Sequence, residues 1–190
     1  PTRAGPSVLS VQADTVASIT QQEHLVRDEV DLADRYRFEL GELIAIGAAI
    51  NSERDIGRLL ALILEKSRYV TGADAGSVYV VAPHPQRPAE QLLRFEVAQN
   101  DSLPVDFKTS TLEVSRGSIV GAAVIRRETI NIPDLYALPS ANPLGVGHDR
   151  SFDLHSGYRT RSVLAVPLIT QREEVIGVLQ LINKKTDPGQ

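Results

Sequence analysis

The stretch RSVLAVPLITQREEVIGVLQLIN, residues 161–183, decides the fold. It holds two strongly apolar runs, 161–170 and 175–183, separated by the polar turn Gln171-Arg172-Glu173-Glu174. Val, Ile and Leu dominate both runs, which suits buried, pleated strands. So short a connection lets the second strand only fold back along the first, so the pair is an antiparallel hairpin.

Working outward toward the N-terminus, residues 137–158 carry Gly, Pro, Asn and His and read as a long loop. A segment of that length inside a compact domain is commonly a lid or a binding loop. Before it, Thr129 to Ile132 reads as a strand closed by Pro133-Asp134. Gly117-Ser118 opens a helix running to Arg127, with Ile119, Val120, Ala123 and Val124 inward. Thr111 to Val114 is a short strand, preceded by the polar segment from Asn100 to Ser110. Leu92 to Ala98 alternates apolar residues with Arg94 and Glu96, and Ser77 to Val81 forms another strand. Pro83 to Ala89, with three prolines, is the loop between them.

Two helical regions come first. Ile56 to Val70 carries the stripe Ile56, Leu59, Leu60, Ile63 and Leu64, and Gly72 stands at its C-cap position. The polar break Asn51 to Asp55 supplies capping residues before it. Gln12 to Ile50 is free of Pro, and its apolar residues recur at three- and four-residue spacing: Leu25, Val26, Val30, Ala33, Tyr36, Leu40, Leu43, Ile44 and Gly47. The pattern predicts a flexible tail over 1–11, a signalling or dimerisation helix over 12–37 and the main domain over 38–187. A homodimer through the N-terminal helix is the expected assembly, the alternative being a helix packed on its own domain. The predicted class is α+β: a mainly antiparallel sheet of about six strands, helices on one face, the long loop plus a short helix on the other, and an N-terminal helical extension.

Composition narrows the function. The 190 residues are 42% hydrophobic and 23% charged, ordinary for a globular chain. A net charge of −4 without any Lys/Arg run argues against nucleic acid as a partner. There is no Cys, which leaves no disulfide, thiolate nucleophile or Cys-based metal site and fits the cytoplasm. No 18-residue apolar run is present, so no membrane span is expected. The opening Pro-Thr-Arg-Ala-Gly-Pro lacks a signal-peptide core, and the chain reads as part of a longer protein or a processed chain. No Ser-His-Asp set, H-x-x-E-H, Gly-rich phosphate loop or paired catalytic carboxylates appear, so no catalytic residue is expected.

Three stretches resemble a GAF domain: LLALILEKSRYVTGADAG at 59–76, GSIVGAAVIRRETINIP at 117–133 and GYRTRSVLAVPLITQREEVIGVLQLINK at 157–184. The flavour is that of cyclic-nucleotide phosphodiesterases and bacterial adenylyl cyclases, where NIPD, G-[YF]-R-T-R and NK recur. They stand here as Asn131-Ile132-Pro133-Asp134, Gly157-Tyr158-Arg159-Thr160-Arg161 and Asn183-Lys184. The family's longer NK pattern continues onto a closing helix, which this chain, ending at Gln190, does not reach.

The resemblance implies a sensory or regulatory domain that takes up a small ligand, with cyclic GMP or cyclic AMP as candidates, and relays its state to an output domain. Closure of the 137–158 loop over the ligand is the expected relay. The helix opening at Ser118 presents backbone N–H groups to an anion, and the matching contact positions are Ile119 and Val120. Both also suit a core. Ser77 matches a pocket serine and otherwise reads as solvated. Asp153, Ser156 and Thr160 match polar ligand contacts, while Asp153 alone could serve a local turn. Gln180 stands where relatives carry Glu, and Ala98 and Gln99 where they carry an aromatic residue and Asp. Arg161 is expected to pair with Asp134 or Asp153. Two rival readings remain: a ligand-free dimerisation or interaction module, and a haem sensor using His148 or His155. A lone loop histidine is ordinarily a surface residue. Family chemistries that need Cys, methionine sulfoxide reduction and bilin attachment, have no nucleophile here.

Overall fold

The computed structural model describes residues 36–37, 40–103 and 110–185. It divides into two units, Pro1–Ser52 and Glu53–Gln190. In the first, helix α1 covers 40–52. Tyr36, Leu40, Leu43 and Ile44 are all exposed. The expected tail over 1–11 and residues 12–35 of the expected N-terminal helix lie outside the described residues.

The second unit opens with α2, Ile56–Thr71. Asp55 caps it by accepting from the Arg58 N–H at 2.8 Å. Gly72 ends it with φ of 69°, a left-handed conformation that favours glycine. The inward stripe differs from the expected one. Ile56 is 73% exposed, whereas Leu64 and Arg68 are buried and Leu60 packs beside them. The line 60–64–68 follows one i,i+4 ridge, and it lies over the sheet while the first turn is exposed.

Six strands follow: β1 Ala73–Pro83, β2 Gln91–Asn100, β3 Thr111–Glu113, β4 Ile130–Ile132, β5 Val163–Ile169 and β6 Val175–Lys184. They form one sheet in the order β3-β2-β1-β6-β5-β4, and each neighbouring pair is antiparallel. The hairpin read from 161–183 is β5–β6, the fourth and fifth strands of that order. β1 starts four residues earlier than expected, directly after Gly72. β5 starts two residues later than the apolar run, because Asn183 Oδ1 takes the Arg161 and Ser162 N–H groups at 2.7 and 3.2 Å.

Helix α3, Ile119–Arg126, and a single-turn helix α4, Ser151–Ser156, complete the unit. All of Ile119 to Val124 is buried, not only the four residues expected inward. The sheet separates two cores. Leu64, Val78, Leu179 and Leu181 lie beneath α2. Tyr79, Phe95, Val120, Ala123, Ile132 and Val163 lie on the other face beneath α3. Leu135 and Val146 bury into that second core, and the 137–158 segment expected as a loop contains α4. No helix among the described residues is long and apolar enough to cross a membrane.

Candidate functional site

A cavity of about 770 Å³ opens between the sheet, the N-terminal end of α3 and the 147–160 segment. That is the size of a small-molecule site. Strand register builds its floor. Ser77 sits opposite Gln180 across the β1–β6 pair. Period-two alternation puts Tyr79 on the same face. Gln180 Oε1 accepts from Ser77 Oγ at 3.2 Å and from Tyr79 OH at 3.4 Å. Phe95 meets Tyr79 edge-on, with ring centroids 5.3 Å apart, and forms an aromatic wall. Burial pushes the Tyr79 phenol above its ordinary pKa, so it stays a neutral donor.

The α3 end is built by Ser118. Its Oγ accepts from the Gly121 N–H at 2.9 Å, and its carbonyl accepts from Ala122 N–H at 2.8 Å. That leaves the Ile119 and Val120 N–H groups as the first-turn donors of a helix bordering the cavity.

The roof is organised around Asp153 of α4, which is buried. Thr160 Oγ1 donates to Oδ1 at 2.7 Å, Thr160 N–H to Oδ2 at 2.9 Å and Tyr136 OH to Oδ2 at 2.7 Å. Burial raises the Asp153 pKa, but the bonds from Thr160 and Tyr136 outweigh it and hold the carboxyl below the ordinary range. The guanidinium groups of Arg150 and Arg159 lie 4.7 and 4.3 Å from the Tyr136 ring centre. Tyr158 ties the end of the roof to β1 by donating to Asp74 Oδ2 at 2.9 Å. Asp74 also accepts from Ser102 Oγ at 2.8 Å and pairs with Lys185 at 3.1 Å. Burial raises the Asp74 pKa, yet these three partners draw it below its ordinary value.

Of the residues singled out by sequence, Ser77, Ile119, Val120, Asp153, Thr160 and Gln180 border this cavity. Ala98 does not, and packs instead against the core on that face. Gln99 touches the rim, but its side chain points through to α2, donating to Ala61 O at 2.9 Å and accepting from Arg68 Nη1 at 3.2 Å. Ser156 turns back on its own helix, donating to Phe152 O at 2.7 Å. Arg161 takes Asp134, at 3.1 Å, rather than Asp153. His155 is exposed, whereas His148 is not the surface residue expected: its side chain is 9% exposed and borders the cavity. Tyr79 and Phe95 were missed as site residues. The alternation that places Ser77 inward would have found Tyr79, but nothing local marks His148. No cluster of three or more His, Asp or Glu that could hold a metal occurs among the described residues.

Fold and cavity define an α+β domain with a roofed ligand-sized pocket on one sheet face. The chain belongs to the GAF domain family, whose family model matches residues 55–190. It is 28% identical over 139 residues to a cGMP-specific 3',5'-cyclic phosphodiesterase of Drosophila virilis. That match covers 71% of this chain and 15% of the phosphodiesterase, so the chain spans a small part of that relative. The fold is similar to the GAF domain of an Acinetobacter phosphoenolpyruvate-protein phosphotransferase, with a TM-score of 0.56, 20% identity and 79% of each chain covered. It is also similar to residues 122 to 287 of a methyl-accepting chemotaxis protein, with a TM-score of 0.54, 22% identity and coverage of 73% and 79%.

Proposed function

We propose that this chain is the sensory domain of a cytoplasmic signalling protein, without catalysis of its own, and that it binds a cyclic nucleotide in the roofed cavity. The observation that carries the reading is the cavity's make-up. Its lining joins the apolar Tyr79, Phe95 and Leu135 to the polar Gln180 and the first turn of α3. The Gln180 amide can meet a purine edge, and the α3 N–H groups can meet a phosphate. The likeness to a cGMP-specific phosphodiesterase supports the same ligand class. Asp153 takes a supporting role in this reading, since both its oxygens already accept from Thr160 and Tyr136. Melting the chain with cyclic GMP or cyclic AMP tests it. Ligand at 100 times Kd adds about 2.7 kcal/mol of stability, read as a higher Tm. No shift with either nucleotide ends the nucleotide reading and leaves the interaction module.

The N-terminal helix supports a homodimer as part of the same reading. Tyr36, Leu40, Leu43 and Gly47 follow the four-three spacing of a coiled-coil seam, and the first three are exposed. Sedimentation of Leu40→Glu/Leu43→Glu against the unaltered chain tests it, and equal sedimentation coefficients would refute the seam.

A further inference from the structure

We propose that Tyr158, Asp74 and Lys185 form a relay that joins the cavity roof to the end of β6, so that a shift of the roof reaches the chain where it leaves the sheet. That a ligand drives the shift rests on the cavity being the ligand site, whereas the relay itself is a property of the folded chain. Tyr158 lies two residues beyond α4 and borders the cavity, and its ring meets Phe152 of α4 edge-on with centroids 6.4 Å apart. Its hydroxyl donates to Asp74 Oδ2 at 2.9 Å. The other oxygen of that carboxylate, Oδ1, pairs with Lys185 Nζ at 3.1 Å. One carboxylate thus holds the roof with one oxygen and the end of β6 with the other. The Lys185 N–H donates in turn to Gly72 O at 2.8 Å, which seats the residue beside the start of β1.

The physical basis is a fixed backbone carrying a shared carboxylate. Asp74 O accepts from Arg68 Nη2 at 2.7 Å and from the Asp101 N–H at 3.1 Å, so β1 is anchored at this residue. The carboxylate turns as one unit, and a change at one oxygen re-aims the other. Its side chain is only 8% exposed, so its charge-assisted bonds are stronger than those of a surface pair. A phenol–carboxylate bond weakens steeply once stretched, so a small displacement of Tyr158 is enough to release it. Asn183 joins the same two segments by a second route. Its Nδ2 donates to Arg159 O at 2.8 Å, and its Oδ1 accepts from the Arg161 and Ser162 N–H groups. Removing the Asp74 carboxylate cuts the first route and leaves this one.

Hydrogen exchange of the 190-residue chain without ligand, followed amide by amide by NMR, tests the relay. The Thr160 N–H, bonded to Asp153 Oδ2, reports the roof, and the Lys185 N–H reports the end of β6. The slowest-exchanging amides report global unfolding, and their change is divided out for each variant. Tyr158→Phe is expected to speed exchange at Lys185 by about fivefold, and Lys185→Met to speed it at Thr160 by a similar factor, since coupling between two sites is reciprocal. Arg87→Gln, which touches only Glu90, Glu113 and His84, changes neither. In an Asp74→Ala background Tyr158→Phe no longer alters Lys185. If Tyr158→Phe speeds only the roof and Lys185→Met only its own end, the relay is overturned and two local contacts remain. A cross effect that persists in Asp74→Ala also overturns it, because the coupling then runs through Asn183. Should Asp74→Ala not fold, the two single variants decide. None of these outcomes bears on nucleotide binding, which the melting experiment reads separately.

Discussion

Asp153 is the residue on which the roof turns. Its carboxylate gathers Thr160 from the lead into β5, Tyr136 from the segment after β4 and its own α4. Thr160→Val removes the 2.7 Å bond to Oδ1 while keeping the backbone bond, so it should cost about 1–2 kcal/mol in urea unfolding. Asp153→Leu should cost more, about 2–3 kcal/mol, because it leaves three partly buried donors unpaired. The two should be non-additive in a double-mutant cycle, and simple additivity would argue against a shared node. Gly121 is a packing constraint of another kind. A Cβ there would sit 2.3 Å from Ser115 O and 2.6 Å from Ser115 N, both backbone atoms that cannot swing aside. Gly121→Ala should therefore destabilise by about 1–3 kcal/mol, although alanine is the better helix former.

Among the elements, α2 is held by Arg68 as well as by its apolar stripe. This buried side chain donates to Asp74 O at 2.7 Å and to Gln99 Oε1 at 3.2 Å, and pairs with Asp101. It thus ties the last turn of α2 to β1 and β2. Arg68→Met keeps much of the volume and loses the bonds, and should cost about 2–3 kcal/mol in thermal or urea unfolding. The Asp55 cap is worth less. Asp55→Ala gives up one bond to the Arg58 N–H and should cost about 1 kcal/mol. Equal losses from the two substitutions would mean that Arg68 is solvated rather than structural.

For the whole molecule, the two buried carboxylates contribute to the acid limit. Asp74 and Asp153 both lie below their ordinary pKa when folded. The unfolded value is about 3.9, so the folded chain gains from both groups at any pH above that. That gain disappears as pH drops through the lower folded values. Stability measured by urea midpoint should therefore be flat from neutral pH to about 5 and fall steeply below about 4. The acid loss should be shallower in Asp74→Asn and Asp153→Asn, which have no proton to take up. An acid limb unchanged by both substitutions would assign it to other carboxylates.

How far the chain could be read in advance follows from what is local. The β5–β6 hairpin, the Ser118 and Asp55 caps, the Gly72 stop and the succession of elements along the chain are set by neighbours in sequence, through strand propensity, capping chemistry and short turns, whereas the β1–β6 pairing at the centre of the sheet joins segments far apart in sequence. The sequence by itself therefore determined the kinds of element, their order, the antiparallel sheet and the GAF resemblance. Facing was decided only by the tertiary structure. Gln99 looked like a pocket residue until β1–β2 register turned its amide toward α2. Ser156 was absorbed by the helical turn that a six-residue segment is too short to announce. His148 became a wall of the cavity because Gly147 is pinned to Gly117 across the fold. A one-residue change of register reverses which side chains face the pocket, and roof burial depends on contacts between segments distant in sequence. Neither quantity is carried by any window of neighbouring residues.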